Sequence, residues 1–156
     1  MDKTTLLETL KAERARWDAL LAGIGEARMV QAGAPGEMPL KDIVAHITWY
    51  EQEMVGLINR RALAGSDLWN LPPEARNAAI LEASRARSPD DIRTEAQRVH
   101  EQLVAGVQSL AEEELADAAM FREMPADWVP WELIAMNSYE HYRQHSADVR
   151  ARLARP

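Results

Sequence analysis

The chain has 156 residues, no cysteine and a formal net charge of -7, from 18 Lys and Arg against 25 Asp and Glu. That is the length of one domain, and it excludes disulfides, thiolate nucleophiles and cysteine-ligated zinc. The acidic balance predicts no nucleic-acid partner, and no run nears the roughly 18 apolar residues of a membrane span.

The N-terminus has no apolar signal region, which makes the cytoplasm the default compartment. It leads directly into a helical pattern. Leu6, Leu7, Leu10, Trp17, Leu20, Leu21 and Ile24 recur with period 3.6. Thr5 and Glu8 are spaced for a capping box, and Gly23 or Gly25 for the stop. Residues 31–39 carry Gly33, Pro35, Gly36 and Pro39 and read as a loop. A second helix runs from about Pro39 to Leu63 on the stripe Leu40, Ile43, Val44, Ile47, Met54, Leu57 and Ile58.

Residues 64–90 are punctuated by Gly65, Pro72, Pro73 and Pro89. They form a long excursion with one short helix, from about Pro73 to Ala86. A third long helix starts at Asp90 or Asp91 and carries Ile92, Ala96, Val99, Leu103, Val107 and Leu110. Residues 111–130 are acidic and broken by Pro125 and Pro130. The fourth helix starts near Trp131, with Ile134 or Ala135, Ser138, His141 or Tyr142, His145, Val149 and Leu153 inward. No β alternation occurs, so the predicted fold is all-α, a four-helix bundle.

Three of the four histidines fall on inward stripes. His141 and His145 stand one turn apart on one helix face, and His46 lies at the edge of the second helix's core face. Imidazoles placed this way can converge on one divalent ion. The spacing leaves a second reading open, of neutral histidines bonded within a semi-polar core. Without metal, a histidine can act as general base, with Tyr50 and Tyr142 as candidate hydrogen-bond or proton donors. Glu53, seven residues beyond His46, is a candidate partner for a ligating imidazole. His100 sits beside its stripe and reads as a surface or boundary residue. Trp49, Trp69, Trp128 and Trp131 cluster near helix ends and connections, either around a pocket mouth or as end plugs.

Other chemistry is thin. There is no GxGxxG, P-loop or GxSxG, so no nucleotide cofactor is expected. The residues three before each histidine are Ile43, Gln97, Ser138 and Tyr142. None is Glu, which argues against a carboxylate di-iron bundle.

The segments MPLKDIVAHITWYEQEM and WELIAMNSYEHYRQHSADV resemble the DinB-like four-helix bundle superfamily, and within it the ClbS/DfsB group. KTTLLETLKAERARWDALLAGI and SPDDIRTEAQRVHEQLVAGVQSL extend the likeness over nearly the whole chain. The resemblance implies a single domain over 1–156, a long connection between the second and third helices, and a homodimer. It implies a divalent metal, zinc or nickel, on His46, His141 and His145. Activities in the superfamily include thiol-dependent transferases and a maleylpyruvate isomerase. The ClbS branch is similar to a self-protection protein that hydrolyses the cyclopropane warhead of a genotoxic natural product. The expected function is action on a small-molecule ligand between the second and fourth helices, as a metal-dependent or histidine-assisted hydrolase or thiol transferase. The alternative is ligand binding or sequestration without turnover.

Overall fold

The computed structural model describes residues 1–155. Its α-helices are α1 Lys3–Ala22, α2 Glu26–Val30, α3 Leu40–Arg60, α4 Pro73–Ser84, α5 Pro89–Ser109, α6 Pro130–Met136 and α7 Tyr139–Leu153. α3 packs against α5 and α7, and α1 packs against the same two. The order around the bundle is therefore α1, α5, α3, α7. No helix among the described residues is long and apolar enough to cross a membrane.

The apolar stripes make the core. Leu6 and Leu10 of α1 and Val99, Leu103 and Val107 of α5 are fully buried, each contributing about 1.5–3 kcal/mol of transfer free energy. α3 is the central element, with 15 of its 21 residues buried. So complete a burial forces its polar residues to find partners inside the protein, which is why the chemistry concentrates on this helix.

The helix ends differ in places from the sequence expectation. The α1 cap is Asp2, whose Oδ1 accepts from the Thr5 N–H at 2.7 Å, and not the Thr5–Glu8 box. Gly23 caps its C-terminus. Ser88 caps α5 by accepting from the Asp91 N–H at 3.1 Å, with Pro89 in the first turn. α2 has too few residues for a periodic stripe and is not legible in the sequence.

The excursion between α3 and α5 holds a 3₁₀ turn, Asp67–Asn70, and then α4, which lies along α3. Its start is tied down by a two-residue parallel bridge, Ala62 with Arg122. The Leu63 N–H donates to the Arg122 carbonyl at 2.8 Å, and the Arg122 N–H to the Arg61 carbonyl at 2.9 Å.

The fourth bundle helix is not continuous. Ser138 leaves helical geometry, at φ -137° and ψ -99°. The Asn137 amide donates to the Leu133 carbonyl at 2.8 Å and the Ser138 hydroxyl to the Ile134 carbonyl at 2.5 Å. Such side-chain bonds compete with the helical ladder and end α6. His141 consequently lies in the first turn of α7, at the positive end of its dipole.

Candidate metal centre

α3 and α7 bring His46, His141 and His145 together. The ring centroids are 5.4 Å apart for His46 and His141, 5.2 Å for His46 and His145, and 5.7 Å for His141 and His145. One ring nitrogen of each lies within 4.8 Å of the other two. Two imidazoles ligating one ion at 2.0–2.1 Å stand at most about 4.2 Å apart, so small side-chain rotations close the set.

The electrostatics suit ligation. Burial, then the charges His145 and His141 would carry, lower the His46 pKa to about 3. Burial and then His145 lower that of His141 to about 4. His145 is lowered by burial, against the opposing pull of Asp148. All three are neutral at pH 7, the form that binds a metal. The Nδ1 atoms of His46 and His141 are buried with no hydrogen-bond partner. An orphaned buried polar atom costs about 1–3 kcal/mol, which a bound ion would relieve. The residues present thus fit a divalent ion. The carboxylate nearest the set is Asp148, 3.6 Å from His145 Nδ1 and three residues along α7.

Glu53 is engaged elsewhere. Its Oε2 accepts from the Ser66 N–H at 2.8 Å and from the Trp69 indole at 2.7 Å, pinning the excursion to α3.

Tyr50, one turn beyond His46, packs its ring 5.0 Å from His46 and 4.7 Å from His141. Its hydroxyl donates to Asn77 Oδ1 of α4 at 3.1 Å. Burial raises its pKa, so it keeps its proton at neutral pH. Trp49 and Trp69 flank it, at 4.8 and 5.6 Å. Trp69 and Trp128 line a cavity of about 720 Å³ beside this aromatic wall, while Trp131 packs half-buried against the core.

Tyr142 does not share the site. It stands 100° around α7 from His141, and its hydroxyl donates to Glu51 Oε1 and accepts from Arg14 Nη1 at 3.2 Å. Glu51, likewise one residue after Tyr50 on α3, is 1% exposed. His100 Nδ1 lies 3.5 Å from Glu51 Oε1, so this partly buried histidine borders the same polar cluster. The sequence reasoning passed over Glu51 and Arg14. Position on the buried face of α3 was the one available signal for Glu51, and nothing in the sequence pairs it with Arg14.

Solved structures share the fold at low identity. DfsB, described as a sibling lethal factor precursor, superposes with a TM-score of 0.83 at 17% identity, covering 97% of this chain and 94% of its own. ClbS, a colibactin self-resistance protein, gives 0.81 at 11% identity, covering 98% and 96%. The mycothiol-dependent maleylpyruvate isomerase gives 0.70 at 14% identity, covering 96% of this chain but 61% of its own. No curated protein sequence matches the chain. The ClbS structure is a complex with a double-stranded DNA. That overturns the expectation of no nucleic-acid partner: a net charge sums over the whole surface and does not exclude such contact by a protein of this fold. The model of the DinB superfamily matches residues 4–148, and the chain belongs to that superfamily.

Proposed function

We propose that this protein is an enzyme acting on a small molecule with a divalent transition metal held by His46, His141 and His145. The observation that carries the reading is the convergence of three neutral imidazoles, two with orphaned buried nitrogens. Zinc and nickel both suit imidazole ligands. When bound, the ion would supply Lewis acidity and an activated water or thiol, as hydrolysis or thiol transfer requires. Any thiol must come from a co-substrate, since the chain has no cysteine. The residues' own tasks follow from their places. The three imidazoles hold and orient. Tyr50, fixed by Asn77 and protonated at neutral pH, walls the site and presents a hydroxyl to its α4 side. Asp148 Oδ2 lies 3.6 Å from His145 Nδ1, on the outer side of the set.

The test is metal content. Protein purified without an affinity tag, stripped and reconstituted, is expected to take up about one zinc or nickel ion per chain. His46→Ala and His141→Ala should each lose it while keeping helical circular dichroism. No uptake by the folded wild type refutes the reading.

A second reading, sequestration without turnover, draws on the large cavity lined by Trp69 and Trp128. A ligand recovered chemically unchanged after prolonged incubation with metal-loaded protein supports it. Multiple turnovers per chain rule it out.

A further inference from the structure

The cavity beside the aromatic wall has a consistent chemistry. It lies between the C-terminal half of α3, the excursion around the Asp67–Asn70 turn, and α6 with the residues leading into it, and it encloses about 720 Å³. That is room for a drug-sized molecule. Its charged lining is four carboxylates, Glu53, Asp67, Asp127 and Glu132, with no Lys, Arg or His. The rest is largely apolar, including the two indoles of Trp69 and Trp128.

These surfaces are left open by the fold. Of the eight large hydrophobic residues exposed among the described residues, Trp69, Trp128 and Met136 line this one cavity. The indole of Trp69 is also built into place. Glu53 Oε2 accepts its N–H and the Ser66 N–H together. Gly65 makes the close approach feasible, because a Cβ there would stand 2.1 Å from that oxygen and 3.0 Å from the indole. The Trp69 ring already receives one cation from within the chain, the Arg76 guanidinium at 4.5 Å. Arg76 is outside the lining, as is Arg60, whose Nη2 donates to the carbonyl of the lining residue Ala64 at 2.6 Å, and two cations do not offset four carboxylates.

An apolar ligand of any charge gains from burial here. An anion loses against a mouth of carboxylates around low-dielectric walls, where the field is focused. A cation gains from that field and from the indole faces. We infer that this cavity binds an organic cation with an apolar body, such as a quaternary or protonated amine. The inference adds a ligand class to the proposed function and is independent of whether the histidines hold an ion.

The experiment uses chelator-treated full-length protein, so that its outcome is separate from metal uptake. Three probes with one apolar body are titrated by calorimetry: 4-phenylbutyltrimethylammonium, 4-phenyl-1-butanol and 4-phenylbutanesulfonate. The expected order is ammonium, alcohol, sulfonate, with the ammonium roughly tenfold tighter than the alcohol. Raising the ionic strength from about 0.05 M to about 0.5 M should weaken the ammonium alone. The combined variant Asp67→Asn, Asp127→Asn, Glu132→Gln changes exposed side chains only. It should lose most of the ammonium preference and keep alcohol binding. Trp128→Ala should weaken both probes. The inference is overturned by sulfonate binding as tightly as ammonium, by ammonium affinity unchanged in the carboxamide variant, or by no binding of any probe to the folded protein.

Discussion

Acidifying the metal-free protein from pH 7 to pH 5 tests the state of the histidine set directly. An unfolded histidine titrates near 6.5. In the fold His46 is lowered to about 3 and His141 to about 4. Between these limits the unfolded chain binds protons that the native state refuses, so stability is present above pH 6.5 and is lost as pH falls. The slope is about 1.4 kcal/mol per pH unit for each group. At pH 5 the loss is about 2 kcal/mol per imidazole, or about 4 kcal/mol for the pair. His145 acts in the same direction. This is a large share of the 5–15 kcal/mol typical of a domain. Carboxylates with lowered pKa, such as Asp2, Glu37 and Glu114, lose their contribution at lower pH, so the window isolates the histidines. The assay is urea unfolding at pH 7, 6 and 5 with chelator present. His46→Gln removes one of these contributions and leaves those of His141 and His145, neither of whose lowering owes anything to His46. The variant should therefore lose about 2 kcal/mol less than the wild type over the same range. Equal pH dependence in wild type and variant would show that His46 is not held neutral by burial, and the argument for a ready ligand set would fail.

The remaining expectations concern the bundle around the site. Tyr142→Phe removes a hydrogen bond to the buried Glu51 carboxylate and should cost about 1.5–3 kcal/mol by urea unfolding. Its zinc uptake per folded chain should match wild type, and a lost ion in a folded variant would show that Tyr142 belongs to the metal centre. Gly56 and Gly106 make an opposed pair. At Gly56 an added Cβ meets only the end of the flexible Arg60 side chain, so Gly56→Ala should stabilise by up to about 1 kcal/mol through helix propensity. At Gly106 it stands 3.2 Å from Ile58 Cγ2 across the α3–α5 interface. Gly106→Ala should therefore forfeit that gain and destabilise by about 1 kcal/mol or more. Changes in thermal midpoint of the same sign would contradict the packing described.

Two polar groups on different faces of α3 explain both what the sequence revealed and what it concealed. Apolar period alone places the four long stripes, and the four-residue step alone puts His141 and His145 on one face. That His46 meets them requires only that α3 and α7 be neighbours in a bundle. The break at Asn137 and Ser138 was hidden because both are buried and Ser138 falls on the expected stripe. Their side chains end the helix through bonds to carbonyls one turn back, which leave no periodic signature. Glu51 was hidden for a different reason. It is one residue from Tyr50, as Tyr142 is from His141, and a 100° step on each helix divides the metal-side groups from the Arg14–Glu51–Tyr142 cluster. A carboxylate in a polar stretch reads as solvated until its partners on α1 and α7 are known. The two groups then differ in how well they are satisfied. Three of the Arg14–Glu51–Tyr142 atoms are hydrogen-bonded across helices, which fixes how α1, α3 and α7 pack, while Glu51 Oε2, which has no hydrogen bond, faces the Arg14 guanidinium at 3.8 Å. The histidine group leaves two buried ring nitrogens without a hydrogen-bond partner. A fold of ordinary stability carries such a cost most readily where a ligand removes it, and three neutral imidazoles grouped around one point are a set that could hold a metal ion.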